Sequence, residues 1–332
     1  MNGPLFAMFP KSGQISDSDS LLYDSAGENH LTGDATRVFP DLQQILDNNT
    51  NADTGSCAPG PIAPPVPQAV TECYAEFLPT SDYVGGAGTN ADPLSLHFRF
   101  TARDGRGGTS SADTTLLLAS GTGPFLVTSA NTAVSLPGES NQTVTWDPAD
   151  TNAAPVSTDE VKISLSVDGG HTYPYVLADA VPNTGSASVV LPMVGTTHAR
   201  VKVEAVGNVF FDVSDADFAI TWPFTGFFPP IAGPPALNPA TAGSAIPVKF
   251  SLGGDRGLDI LADGYPVSVQ IDCTTGAPIG SAAETRSDEG LTFASGQYKY
   301  VWKTEPAWAG TCRELRVLLV DGTMHAARFR FR

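Results

Sequence analysis

Short bursts of strict two-residue alternation run along this chain. In LSLHFRFTARDG (94–105), Leu94, Leu96, Phe98, Phe100 and Ala102 point one way, while His97, Arg99, Thr101 and Arg103 point the other. That is the pattern of a half-buried β-strand, and DTTLLLA (113–119) predicts its hairpin partner across a Gly-rich connection. In AGSAIPVKFSLGG (242–254), Ile246, Val248, Phe250 and Leu252 alternate with Pro247, Lys249 and Ser251. A proline cannot donate to a ladder, and a strand lysine discourages a second chain from pairing, so this stretch reads as an edge strand. Turn residues recur every eight to twelve positions, among 33 Gly and 27 Pro, as in all-β proteins. Helix-length amphipathic patterns are nearly absent. FPDLQQIL (39–46) is the exception, with Pro40 at its start and Leu42, Ile45 and Leu46 on one face.

These elements group into units. Residues 1–120 predict a first β-sandwich, incomplete at its N-terminus and holding the short helix. Within it, CAPGPIAPPVPQAVTEC (57–73) reads as an extended Pro-rich loop. Residues 121–221 supply PFLVTS, QTVTWD, VKISLSV, TYPYVL, SASVVLP, HARVKVEAVG and FFDVSDADFAI. About seven strands over roughly 100 residues fit an immunoglobulin- or fibronectin type III-like sandwich, with Trp146 as its core aromatic. Residues 222–237 (WPFTGFFPPIAGPPAL) read as a Pro/aromatic linker. Residues 238–332 form a third β-domain with strands in IPVKFSL, YPVSVQIDC, QYKYVWK, CRELRVLLV and TMHAARFRFR. Asp321-Gly322 predicts a two-residue hairpin turn between the last two. The expected fold class is all-β: tandem immunoglobulin/fibronectin-like sandwiches with one short helix in the first.

Charge sharpens this picture. From 221 to the end there are ten Lys/Arg and ten Asp/Glu, so the whole formal charge of −17 resides in the first 220 residues. An acidic surface of this size repels nucleic acid and anionic lipid. Mean hydropathy is −0.03, and no stretch approaches the ~20 apolar residues of a membrane helix. The four cysteines allow three pairings. Local pairing, Cys57 with Cys73 and Cys273 with Cys312, is the simplest, and without CxxC or Cys/His clustering disulfides are favoured over zinc. Closing such loops stabilises by about 3 and 4 kcal/mol on a chain-entropy estimate, which implies an oxidising, extracellular or cell-surface location. MNGPLFAMFPKSG carries no basic leader or secretory apolar run, so the true N-terminus is expected to lie upstream.

Candidate chemistry is sparse. His30, His97, His171, His198 and His325 form no HExxH pair, and no GxSxG elbow, phosphate loop or dinucleotide fingerprint occurs. In DNNTNADTG, Asp47, Asn49, Asn51 and Asp53 alternate like the first half of a calcium loop. Ala52 and Ala58 stand where that loop needs Gly and Glu, so no cofactor is expected and calcium is the one ion to consider. SVDGGHTYP (166–174) has the SxDxGxT form of an Asp-box turn. DVSDAD (212–217) has the composition of an interdomain calcium loop, with no partner loop identifiable. The sequons Asn48-Asn49-Thr50 and Asn141-Gln142-Thr143 matter only in a glycosylating host. Trp222, Phe224, Phe227 and Phe228 in the linker are the candidate contact patch, packing of the interdomain joint being their alternative role.

The run from GPFLVTSANTAVSLPGESNQTVTWDPADTN through ARVKVEAVGNVFFDVSDADFAI resembles the β-sandwich that follows the catalytic domain in bacterial secreted, reprolysin-like zinc metalloproteases. LHFRFTARDGRGG, SADTTLLL, GPLFAMFP, FPDLQQIL and EFLPTSDY look like the domain before it. The last unit resembles the small C-terminal domain of actinobacterial secreted proteins named for a Pro-x-Lys-Phe signature, here Pro247-Val248-Lys249-Phe250, with GLDILADGYP, YVWKT, WAGTC and RFRFR alongside. None of the family's zinc ligands, nor its catalytic glutamate, has a matching position. The resemblance implies a non-catalytic C-terminal accessory region that spaces, anchors or targets a secreted protease, or a truncated product of such a gene. Its expected partners are an upstream protease domain and an extracellular protein or polysaccharide, and the chain is expected to be monomeric. The alternative is a stand-alone extracellular adhesion or cell-surface protein.

Overall fold

The computed structural model describes residues 38–40, 42–48, 50, 95–119 and 121–332. Asn49, Asn51, Asp53, Cys57, Cys73 and His30 lie outside them. In the first unit the sequence pattern gives helix α1 (Leu42–Leu46) and a hairpin of β1 (Ser95–Arg103) and β2 (Thr109–Leu117). Its register runs from Ser95 opposite Leu117 to Arg103 opposite Thr109. Asp104 fastens the turn by accepting the N–H groups of Arg106 (2.8 Å) and Gly108 (2.9 Å). On the polar face Arg99 grips Asp113 through two bonds of 2.6 and 2.9 Å. The opposite face packs Phe98 on Phe39, at 4.8 Å between ring centres, and leaves Phe100 63% exposed.

The second unit comprises β3 (Leu126–Val127), β4 (Ser135–Pro137), β5 (Asn141–Asp147), β6 (Glu160–Ser166), β7 (Tyr175–Pro182), β8 (Ser186–Val190), β9 (Thr196–Ala205), β10 (Phe211–Val213) and β11 (Phe218–Thr221). One sheet has the order β3-β5-β8. The other has β4-β11-β9-β6-β7, with β10 also on β9. The entering chain thus switches sheets. β3 pairs antiparallel with β5, and β4 then runs parallel to β11. Alternate residues of both sheets, among them Val144, Trp146, Val161, Ile163, Leu165, Val189, Val201, Val203, Phe218 and Ile220, close one core. Trp146 is buried as expected.

The third unit repeats this plan with β12 (Thr225–Gly226), β13 (Leu237–Ala240), β14 (Ala245–Ser251), β15 (Val267–Ile271), β16 (Pro278–Glu284), β17 (Leu291–Ala294), β18 (Gln297–Lys303), β19 (Cys312–Leu318) and β20 (Met324–Phe331). Its sheets are β12-β14-β18-β17 and β13-β20-β19-β15-β16. Again the first strand pairs antiparallel in one sheet, and the next runs parallel to the last strand in the other. Two sandwiches with this sheet-switching order are immunoglobulin-like. The core is aromatic: Trp302 meets Phe329 and Phe331 edge-on at 5.2 and 5.9 Å, and Phe250 stacks on Tyr298 at 5.4 Å.

Three details depart from the sequence reading. Residues 222–237 are not a linker. Trp222, Phe227 and Ile231 are buried in the third core, and Thr225–Gly226 pairs with β14, so this segment supplies the first strand of the sandwich. Apolar burial outweighs what a Pro-rich composition suggests. β14 is an edge over 245–248, which includes Pro247, because β12 pairs only with Phe250 and Ser251 and the Phe228 N–H reaches only the Lys249 carbonyl. The Asp321-Gly322 hairpin is closed by Leu319 and Thr323, with Leu319 N–H donating to the Thr323 carbonyl. It is therefore a three-residue connection with Gly322 at φ +82°, a left-handed position suited to glycine.

Cys273 and Cys312 form a disulfide with a Cα–Cα distance of 5.3 Å. It links the exit of β15 to the start of β19, where Cys312 already faces Ile271 across the ladder. No helix among the described residues is long and apolar enough to cross a membrane.

Candidate functional site

The Asp-box forms the turn that the sequence predicts between β6 and β7. Asp168 Oδ1 accepts from Ser166 Oγ (2.6 Å) and Thr172 N–H (2.9 Å), and Oδ2 accepts from Thr172 Oγ1 (2.6 Å). Burial pushes this carboxyl up, but the Ser166 and Thr172 donors outweigh it and hold its pKa below the ordinary value. Ser166 Oγ also accepts the Gly170 N–H at 2.8 Å. Gly170 sits at φ +98°, and a Cβ there would lie 2.3 Å from Leu46 Cδ2, so its bareness admits α1.

Beside this turn lies a cleft of about 400 Å³ lined by Leu46, Asp47, Asp168, Gly169, His171, His198, Arg200 and Asp217. Asp217, the last acid of DVSDAD, is shared. Its Oδ1 accepts Arg200 Nε at 2.6 Å, and its Oδ2 contacts His198 Nδ1 at 2.9 Å. Desolvation raises this carboxyl, yet Arg200 and His198 prevail and keep it below its ordinary pKa. Arg200 Nη1 also donates to the carbonyls of Leu46 (2.9 Å) and Ser214 (3.1 Å). The guanidinium thus ties the first unit to the second through Nε and Nη1.

The pair of His198 and Asp217 resembles the base and orienter of a hydrolase. The nearby hydroxyls of Ser166 and Thr172 donate to Asp168 instead of to an imidazole. Asp47, of the four calcium-loop candidates, is exposed at the cleft wall. Among the described residues no group of three or more His, Cys, Asp or Glu side chains is arranged to hold a metal ion.

The remaining acids of DVSDAD brace the sandwich entry. Asp212 Oδ2 accepts Val127 N–H at 2.6 Å. Burial pushes its carboxyl up to about 6, with the Val127 and Val213 amides opposing and Asp215 reinforcing. Asp215 exchanges bonds with Asn131, accepting its Nδ2 at 2.8 Å and donating its own N–H to Oδ1 at 3.1 Å. These three acids serve three separate partners, which sequence spacing alone does not reveal.

The four aromatics do not form an exposed patch. Trp222 and Phe227 are buried, and Phe224 is sandwiched between Phe250 at 5.5 Å and His325 at 3.5 Å. Phe228 is half-buried, and its N–H donates to the Lys249 carbonyl at 2.9 Å. Trp222, Phe224 and Phe227 thus pack into the third sandwich. Lys249 faces outward, directly opposite Lys299. His97 lies on the hairpin surface between Ser95 and Thr115, at an ordinary strand position.

No protein-family model matches this chain. No curated protein matches it either. Among solved structures, the titin Ig tandem A164-A165 is 10% identical and spans 60% of this chain and 92% of its own, with a TM-score of 0.25. A chimeric titin Z1Z2-Z1Z2 tandem, functionalized with a GRGDS exogenous peptide from fibronectin, is 14% identical and spans 60% and 95%, with a TM-score of 0.20. Titin A168-A169 is 11% identical over 60% and 94%, with a TM-score of 0.24. The immunoglobulin-like assignment stands on the strand order of the two sandwiches themselves.

Proposed function

We propose that this chain is a non-catalytic accessory region of a secreted zinc metalloprotease, which spaces or targets the catalytic domain against an extracellular protein or polysaccharide. The observation that carries this reading is how the cleft's polar groups are used. Arg200 Nε and Nη1, Asp217, Asp168, Ser166 and Thr172 are engaged in mutual and backbone hydrogen bonds that hold a turn and a domain contact together. Catalytic groups need lone pairs or protons directed at a substrate. The resemblance of 121–221 and 238–332 to protease-associated domains, and the disulfide of an oxidising compartment, support the same reading.

The test is the genomic sequence upstream of the Met1 codon, translated in frame, together with a casein assay on the purified chain. An open frame carrying HExxH and a third downstream ligand, with an inert purified chain, is the expected result. A stop codon directly upstream, behind a working promoter and ribosome site, overturns the protease association and favours the stand-alone adhesion protein. Zinc-dependent casein cleavage by the chain alone overturns the non-catalytic part.

A further inference from the structure

We propose that the second and third sandwiches are joined without a hinge and open as one cooperative body, with Trp222 as the peg and Asp321 as the pin. This inference is independent of the protease reading. Thr221 is still paired to Pro137 in the β4–β11 ladder, and its carbonyl accepts the Gly138 N–H at 3.0 Å. The next residue already belongs to the third sandwich. Trp222 N–H donates to Asp321 Oδ2 at 2.9 Å, and its side chain lies in the third core. A single peptide unit therefore connects two hydrogen-bonded frameworks, which leaves no residue to absorb a rotation.

Side chains close the same junction from both directions. A Cβ on Gly195, in the β8–β9 connection of the second sandwich, would lie 2.5 Å from ring atoms of Trp222, so this backbone rests directly on the indole. Met193 of the same connection packs against the third core. From the other side, Gly322 in the β19–β20 turn approaches Thr197, where an added Cβ would lie 3.0 Å from Cγ2. Asp321 is 1% exposed and also accepts Thr323 N–H (2.9 Å) and Thr323 Oγ1 (2.6 Å). Opening the junction would uncover Trp222 and Met193 and remove a donor from a buried carboxylate. Tandem domains move independently by default unless their contact is extensive and apolar. Here continuous pairing and the indole peg replace large area.

The test is amide hydrogen exchange on the full chain, comparing wild type with Val317→Ala, a truncation in β19 of the third core. A joined body loses protection in β6 and β9 of the second sandwich by tenfold or more, in step with β14 and β18. Unchanged protection in β6 and β9 while β14 and β18 lose theirs overturns the proposal, even if the third sandwich unfolds completely. Gly195→Val added to Val317→Ala pushes Trp222 off its seat and is expected to restore protection in β6 and β9. Coupling that persists in this double variant overturns the assignment of Trp222 and Gly195 as the junction.

Discussion

Single buried polar residues decide much of the second sandwich. Asn183 is 1% exposed and completes a network: its Oδ1 accepts Trp146 Nε1 at 2.8 Å, and its Nδ2 donates to Thr151 Oγ1 (3.0 Å) and the Thr158 carbonyl (3.1 Å). Asn183→Ala strands the indole N–H and a carbonyl in the interior. It should lower unfolding free energy by about 2–4 kcal/mol, readable as a shift in urea midpoint at unchanged slope. Trp146 was legible in the sequence as a core residue because it alternates with polar neighbours. Asn183 was not, since a polar residue in VPNTG reads as a turn and its partners lie 25 to 37 positions away. Asp212 gives the pH prediction. Its carboxyl is raised to about 6, so the folded chain holds a proton that the unfolded chain has released. This group therefore favours folding below about pH 4, and that contribution is lost as pH rises through about 4 to 6. Asp212→Asn should raise stability at pH 7 by about 2 kcal/mol and flatten that window in denaturant titrations at several pH values. Asp168 and Asp217 act in the opposite sense: their depressed pKa values stabilise the fold above the ordinary carboxylate range, and this is lost as pH falls through the folded values.

At the scale of elements, strands with clean alternation were readable and the others were not. β5, β9, β14, β18, β19 and β20 bury mainly one face and announce themselves by period two, whereas β1 alternates in sequence although Phe100 stays exposed. β16 (PIGSAAE) is exposed at every position, so no burial pattern marks it. It forms by pairing with β15. β12 and β13 were hidden by prolines, and their places are fixed by pairing to β14 and β20. The Asp-box was legible because its side chains bond within seven residues, a range that sequence spacing captures. The cleft beside it was not, because Arg200 reaches 154 positions back to Leu46. The disulfide links two strands that already pair, across a separation of 39 residues. Reduction, or Cys273→Ser with Cys312→Ser, should cost about 4 kcal/mol on the chain-entropy estimate. The check is the urea midpoint with and without a reductant, and no change would mean that the β15–β19 ladder alone holds this corner.

The whole molecule is uneven in stability, and its basic residues make that measurable. In 121–332 every strand belongs to a sandwich whose two sheets enclose an apolar core. Among the described residues the hairpin β1–β2 forms a two-stranded sheet, with Phe100 and Leu117 exposed on its two faces. A two-stranded ribbon is marginal in water, and its opening free energy lies near the bottom of the range within a domain. Arg106 sits at its exposed tip between Gly105 and Gly107, where backbone is easiest to fit into a protease cleft. Lys162, Lys202 and Arg200, by contrast, lie on paired strands of the second sandwich. Brief trypsin treatment of the native chain should therefore cut at Arg99, Arg103 or Arg106 before any basic residue of 121–332. The mass of the surviving fragment reads the site directly. First cuts at Lys299, on paired strand β18, would place the weakest point in the third sandwich. They would also contradict a junction that shares the stability of both sandwiches, because a joined body has no separately opening half to attack.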